Sequence, residues 1–384
     1  MIEPTYIFEG LRGVGRVEIS FVPGKAVYVL FGSNGVGKTK CLEALFQFWL
    51  LTSESFMSDK RVRAALTQDL LVAQKYEPCP TVLNELTLQG HSYSSEFLGP
   101  GRPPPGVSSK RHSLPVVFIG AGGRGHISAS NVQFGLAVGT FEQRREQYFD
   151  SIVAGMGEHF SSLGMHANLE QWFVTLAQSA NPYQKSGDSR KVEIDVLLQL
   201  LHEIDSRYDP SFMEIDGANR ISLKVDGKPT ELRHLSTGFT SLVKVLQAII
   251  SGYANFTNEV NLTRVKGIVF IDEIESHLHS AWQAKIVPLL KRLFPNTSFY
   301  IATHSPVVLS QLQEGEAYLL RRMDDGVVRT ELIAAPNKRA FVDVLKDAFG
   351  VDLNQLKRTS LETDDQTAAK LALLALLDEK EDGA

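Results

Sequence analysis

A chain of 384 residues, 43% of them hydrophobic and 22% charged, has an ordinary globular make-up, enough for one large core or two small ones. Its formal net charge of −5 gives no basic excess of the kind that general nucleic-acid binding requires, although an average leaves room for a local basic groove. Two cysteines, Cys41 and Cys79, are too few for a disulfide framework and lack metal-ligand spacing, which predicts reduced thiols in a cytoplasmic protein. Residues 1–10 lack the basic start and apolar run of a signal peptide, and 44–52 falls short of the ~20 apolar residues that span a bilayer, so no membrane domain is expected.

Residues 17–21 and 26–31 are rich in Val, Ile, Tyr and Phe, are separated by Pro-Gly, and predict two strands. The second runs into Gly32-Ser33-Asn34-Gly35-Val36-Gly37-Lys38-Thr39, after which the spacing of Leu42, Leu45 and Phe46 is helical. Segments 85–89 and 92–97, parted by Gly90-His91, predict a hairpin; 99–112, with three successive prolines, a loop; and 114–120 a short strand. Helical periodicity governs 141–205, with helices expected around 143–154, 168–177 and 191–204, as an insertion rather than a separate domain. Strand character returns at 221–225 before an Asp226-Gly227 turn, and Leu235-Ser236-Thr237-Gly238-Phe239 opens an amphipathic helix through Ile250. Residues 268–271 form an apolar strand ending in Asp272-Glu273, 281–294 a helix kinked at Pro288, and 299–302 a buried strand ending in Thr303-His304-Ser305-Pro306. A hairpin (318–322 and 327–333), a helix near 341–349 and an Ala/Leu-rich tail close the chain. The reading is an α/β fold, a mixed central sheet flanked by helices, partitioned as 1–140, a helical insertion 141–215, a second lobe 216–350, and a tail 351–384.

Four elements carry chemistry. Gly32–Thr39 matches G-x-x-x-x-G-K-[ST], which chance supplies in only about one chain in a hundred of this length. Gly32, Asn34, Gly35 and Gly37 allow backbone N–H groups to curl round phosphates at a helix N-terminus, Lys38 reaches the β- and γ-phosphates of ATP, and the Thr39 hydroxyl ligates Mg²⁺. Asp272, at the C-terminal end of an apolar strand, holds the metal, and Glu273 orients and deprotonates the attacking water. Ser236 and Gly238 offer a hydroxyl and a bare N–H at a helix start, although Ser-Thr-Gly alone is an everyday N-cap. His304 stands at a strand end where it senses the γ-phosphate or holds water; by itself such a histidine is more often structural.

The order of these elements, P-loop, distant Leu-Ser-x-Gly, hydrophobic-Asp-Glu, then strand-end His, resembles the ABC-type ATPases. Ile271-Asp272-Glu273-Ile274-Glu275-Ser276-His277-Leu278-His279, continuing to Trp282-Gln283 and Phe294-Pro295-Asn296, is similar to the AAA_21-type, overcoming-lysogenization-defect-like ATPases of bacteria, over roughly residues 5–50 and 220–350. The resemblance implies a head-to-tail dimer with two nucleotides between the copies. Lys38, Thr39, Asp272, Glu273 and His304 then act in one copy, and Ser236 and Gly238 reach the other's nucleotide. Three positions depart from that pattern. The coupling glutamine is not identifiable, with Gln133 as the candidate and the Gly120–Gly125 turn with Arg124 as the alternative; Phe239 replaces a polar residue; and 276–279 lacks an Asp.

Function divides along three lines. A transporter head is disfavoured by the absence of a membrane span, and a long-armed SMC-type machine by the lack of sustained heptads between 46 and 235. Asp324-Asp325 and Asp364-Asp365 fall in polar turns and predict no nuclease centre. The expectation is a cytoplasmic regulatory ATPase that forms homo-oligomers and controls a separate effector, such as a nuclease, in bacterial anti-phage defence. A nucleotide-locked scaffold and a DNA-repair-like ATPase are the alternatives. Arg144, Arg145, Arg190 and Lys191 are candidates for nucleic-acid contact, read first as solvated helix positions.

Overall fold

The computed structural model describes residues 5–11, 13–59, 85–88, 91–94, 112–125, 138–158, 160–165, 168–180, 183, 189–338 and 355. The chain forms two compact units, Met1–Asn337 and Lys338–Ala384. Gln133 and the helix expected at 341–349 lie outside the described residues.

Thirteen strands occur among the described residues: β1 Thr5–Leu11, β2 Gly15–Ser20, β3 Val27–Phe31, β4 Glu85–Leu88, β5 His91–Ser94, β6 Val116–Ile119, β7 Tyr208–Ile215, β8 Ile221–Val225, β9 Lys228–Glu231, β10 Gly267–Ile271, β11 Thr297–Ala302, β12 Ala317–Arg322 and β13 Val328–Leu332. Eight form one mixed sheet in the order β1-β2-β13-β12-β3-β11-β10-β6, with β6, β10, β11, β3 and β12 all parallel. This is an α/β P-loop NTPase fold: β3 leads through the glycine-rich loop into the helix that covers it. The inner strands are apolar on both faces because helices cover both; β3, β6 and β10 are buried at every residue.

Register across these strands is held by an aromatic ladder. Phe118, Phe270, Tyr300 and Tyr28 are mutual register partners on β6, β10, β11 and β3. Their rings stack at 6.5, 5.0 and 4.9 Å with interplanar angles under 20°. Each such pair adds about 0.5–1.5 kcal/mol beyond its buried area, and a slip of one residue would turn every ring to the other face. The ladder thereby brings the C-terminal ends of β3, β11 and β10 to one edge of the sheet, where Gly32, Thr303 and Asp272 follow.

The described helices are α1 Lys38–Leu51, α2 Glu54–Ser58, α3 Phe141–Glu158, α4 Leu169–Ser179, α5 Lys191–Ile204, α6 Thr237–Phe256, α7 Ser280–Gln283, α8 Ile286–Leu293 and α9 Pro306–Leu309. The segment expected as one helix kinked at Pro288 is two, α7 and α8. Pro288 is the third residue of α8, where its missing N–H costs nothing, and in one continuous helix its ring would clash with the carbonyl of Ala284, four positions earlier. No helix among the described residues is long and apolar enough to cross a membrane.

Strand β7 pairs antiparallel with β8 and β8 with β9, a small sheet that ends at Glu231, ahead of the Leu235–Phe239 segment. Two of the arginines read as solvated are not: Arg144 and Arg190 are buried. Arg190 Nε donates to Glu193 Oε1 at 2.6 Å, and Glu193 Oε2 accepts from Ser251 Oγ of α6 at 3.1 Å. Ser251 Oγ in turn accepts from Trp172 Nε1 of α4 at 2.7 Å, so this polar network welds the insertion to α6.

Candidate active site

The loop 32–37 joins β3 to α1 with Gly32, Gly35 and Gly37 all at positive φ. At Gly37 φ is +108° and an added Cβ would stand 2.7 Å from the Val14 side chain; at Gly32 φ is +145° and one would stand 2.8 Å from Leu320 O, so both positions require glycine. Gly37 is also the N-cap of α1 and gives it no side-chain cap, so the helix start presents bare N–H groups, the geometry that takes an anion. Asn34 and Gly35 lie on the exposed crest of the loop.

Lys38 is buried, with Nζ donating to Gly32 O at 2.8 Å and Ser33 O at 2.9 Å. Burial pulls its ammonium down to about 8, against the opposing pull of Glu275, Asp272 and Glu273. Thr39 Oγ1 donates to Asp272, 3.0 Å from Oδ1 and 3.1 Å from Oδ2. A glycine cradle over a helix start, an amine inside it and a hydroxyl–carboxylate pair beside it together fit a magnesium nucleotide. Mg²⁺ takes only one or two protein ligands and completes its shell with phosphate and water.

Burial is also the first cause that raises the Asp272 carboxyl, to about 6; Glu273 adds to it, while the Thr39 hydroxyl and Arg124 oppose it. The native value lies above the ordinary 3.8. Between the two the folded chain keeps a proton that the unfolded chain has lost, and above about pH 6 the fold carries the full cost of a buried carboxylate. Asp272→Asn removes that cost. Without nucleotide the variant is expected to be more stable than the parent at pH 7.5 by up to about 3 kcal/mol, with the gap closing as the pH falls from 6 towards 4. Thermal unfolding across that range checks this, and equal stability at pH 7.5 would mean the carboxylate is fully compensated.

Glu273 stands just past β10 with φ +43°, in the left-handed region that costs a residue with a Cβ about 1–3 kcal/mol. Ser276 Oγ donates to its Oε2 at 3.4 Å. The next turn holds a residue that motif reading missed. Glu275 accepts at 2.6 Å from both Thr303 Oγ1 and the His304 backbone N–H, tying the end of β10 to the end of β11. Asp-Glu-x-Glu announced a third carboxylate, but nothing in the spacing pointed it at the histidine strand. The His304 imidazole is lowered from its ordinary value by burial and by the Lys38 ammonium, which keeps it neutral at pH 7. The structure therefore brings Lys38, Thr39, Asp272, Glu273 and His304 to one sheet edge.

Ser236 and Gly238 are placed differently. Ser236 is the exposed N-cap of α6, its hydroxyl accepting from Phe239 N at 3.3 Å. Gly238 abuts the loop after β10: an added Cβ would lie 3.2 Å from His277 O. Phe239, the unexpected residue, stacks on Tyr208 at 4.5 Å and 5° and leans on Trp282 at 6.4 Å. The aromatic ring thus anchors the start of α6 between the small sheet and α7, and leaves Ser236 facing outwards.

The family described as "AAA domain, putative AbiEii toxin, Type IV TA system" matches residues 166–310. The chain is 31% identical over 127 residues to the Retron Vc95 probable ATPase of Vibrio cholerae serotype O1 biovar El Tor, 33% of this chain and 24% of that protein. It is 44% identical over 64 residues to the Retron Ec83 probable ATPase of Escherichia coli, 17% of this chain and 12% of that protein. Against the Septu protein PtuA of Bacillus thuringiensis it is 28% identical over 128 residues, 31% of this chain and 32% of that protein. The matches span between about an eighth and a third of these relatives' length. An SMC head solved bound to the C-terminal winged-helix domain of ScpA superposes over 87% of this chain and 99% of its own, with TM-score 0.45 and 15% identity. The stretch that matches this family, 166–310, holds the start of α6, the Asp272-Glu273 pair and His304.

Proposed function

We propose that this chain binds Mg-ATP, hydrolyses it in a sandwich of two copies, and so governs a separate effector protein in bacterial anti-phage defence. The observation that carries the ATPase reading is the meeting of Lys38, Thr39, Asp272, Glu273 and His304 at the C-terminal edge of β3, β10 and β11. Bound Mg-ATP would supply the phosphoryl group and the metal's charge. Lys38 places a positive charge inside the glycine loop; Thr39 and Asp272 hold the metal; Glu273 takes the proton of the attacking water on its carboxylate; and neutral His304 orients that water. Exposed Ser236 at the start of α6, with the buried Gly238 two residues on, meets the nucleotide of the second copy.

The defence reading is supported by the likeness to retron and Septu proteins over about a third of the chain. Single-turnover hydrolysis of ATP by the purified chain, together with affinity purification from its native host, tests the proposal. Product formation and one specific co-purifying protein are expected. Tight binding with negligible product would instead make the chain a nucleotide-locked scaffold. Hydrolysis stimulated by DNA and lost steeply with salt would make it a DNA-acting ATPase.

A further inference from the structure

Arg124 sits in the turn after β6 and is the bulkiest fully buried side chain among the described residues. Its guanidinium donates to main-chain carbonyls at two strand ends. Nε reaches Gly120 O at 2.8 Å, and one terminal nitrogen reaches Ile119 O at 3.0 Å and Asp272 O. The other reaches Glu273 O at 2.9 Å. A planar fork of five donors suits this task, and a point-charge amine does not. The Asp272–Glu273 peptide, whose second residue is held at positive φ, is thus gripped from the β6 side. A residue in that region persists only where its surroundings over-determine it.

The turn that carries Arg124 is itself held by α6. Lys244 Nζ donates to Gly123 O at 2.6 Å, and Ser241 Oγ, one turn earlier on the same helix, donates to Ser276 O at 3.1 Å. Gly125 leaves the room that the His277 ring occupies; an added Cβ would lie 2.6 Å from that ring. Both sides of the Glu273 turn are therefore tied to the helix whose first residues are Thr237 and Gly238.

We infer that Arg124 is a positioning residue, which holds Glu273 in its water-activating conformation and, through Lys244, links that conformation to the helix carrying Ser236. This rests on the ATPase reading above. The test is Arg124→Lys, alone and combined with Glu273→Gln, with Lys244→Met as a second variant. For Arg124→Lys we expect ATP affinity within threefold of the parent and a single-turnover rate lower by about 10–100-fold. In the Glu273→Gln background the same change should cost less than twofold, because the residue it positions is already disabled. Independently of activity, hydrogen exchange on the nucleotide-free chain should quicken at least tenfold in 272–276 and stay at the parental rate in α8. Equal rate losses in both backgrounds, a parental rate, or unchanged exchange in 272–276 would overturn the proposal. Should Arg124→Lys fail to fold, Lys244→Met carries the same test: a loss of about 3–10-fold that vanishes with Glu273→Gln supports it, and a parental rate refutes it. If the wild-type chain hydrolyses nothing, the ATPase reading fails, while the exchange measurement still decides whether Arg124 holds the turn.

Discussion

Glu273→Gln is expected to bind Mg-ATP, fail to turn it over, and double in mass from the 42.5 kDa of one chain. Glutamine keeps the length and the hydrogen bonding of the side chain but cannot accept a proton from water. The loss in single-turnover rate is that of a general base, about 10²–10⁴-fold. The φ of +43° and the Arg124 bond to the Glu273 carbonyl belong to the backbone, so the substitution leaves the turn as it is. With hydrolysis stalled, two nucleotides remain between two copies, and light scattering with and without Mg-ATP reads the closed pair directly. A variant that hydrolyses at the parental rate removes Glu273 from the mechanism. A mass that nucleotide leaves unchanged removes the sandwich.

Ser236→Arg should separate binding from pairing. Ser236 is exposed and its hydroxyl accepts from Phe239 N, while the Lys38 amine is held by Gly32 O and Ser33 O. ATP affinity is therefore expected to stay within a fewfold of the parent. In the Glu273→Gln background the nucleotide-dependent doubling should disappear, because a long cation fills the space where the partner's nucleotide must approach the start of α6. Losing the hydroxyl cap costs about 1 kcal/mol, so a small fall in melting temperature accompanies the effect and a large one would signal misfolding. Normal doubling would mean that the partner meets some other surface.

The candidate site was legible in the chain itself because its parts are local. A loop that must wrap phosphate needs glycine at Gly37, an amine at Lys38 and a hydroxyl at Thr39 within one turn of helix, and those residues stand in consecutive positions. The apolar runs of β3, β10 and β11 announced buried parallel strands, and a carboxylate following such a run sits at the ligand edge. Other features were not legible. Strands β1, β7 and β9 were missed, their alternation being broken or mixed with charge: β7 holds Asp209, Pro210 and Glu214, and β9 holds Lys228, Pro229 and Glu231. The burial of Arg144 and Arg190 was hidden: Glu193 lies only three residues from Arg190, but Ser251 and Trp172, which complete that network, are brought in by packing.

By itself, then, the sequence determined the nucleotide loop, the acidic strand end and the order in which they meet, since each depends on neighbours a few residues apart. Only the tertiary structure decided the roles of Glu275, Arg124 and Phe239. Glu275 acts on Thr303 and His304 across 28 and 29 residues, Arg124 on Asp272 and Glu273 across 148 and 149, and Phe239 on Tyr208 and Trp282. Hydrogen bonds and ring contacts between distant segments leave no periodicity in the chain; they exist because the ladder of Phe118, Phe270, Tyr300 and Tyr28 fixes the register that sets those segments side by side.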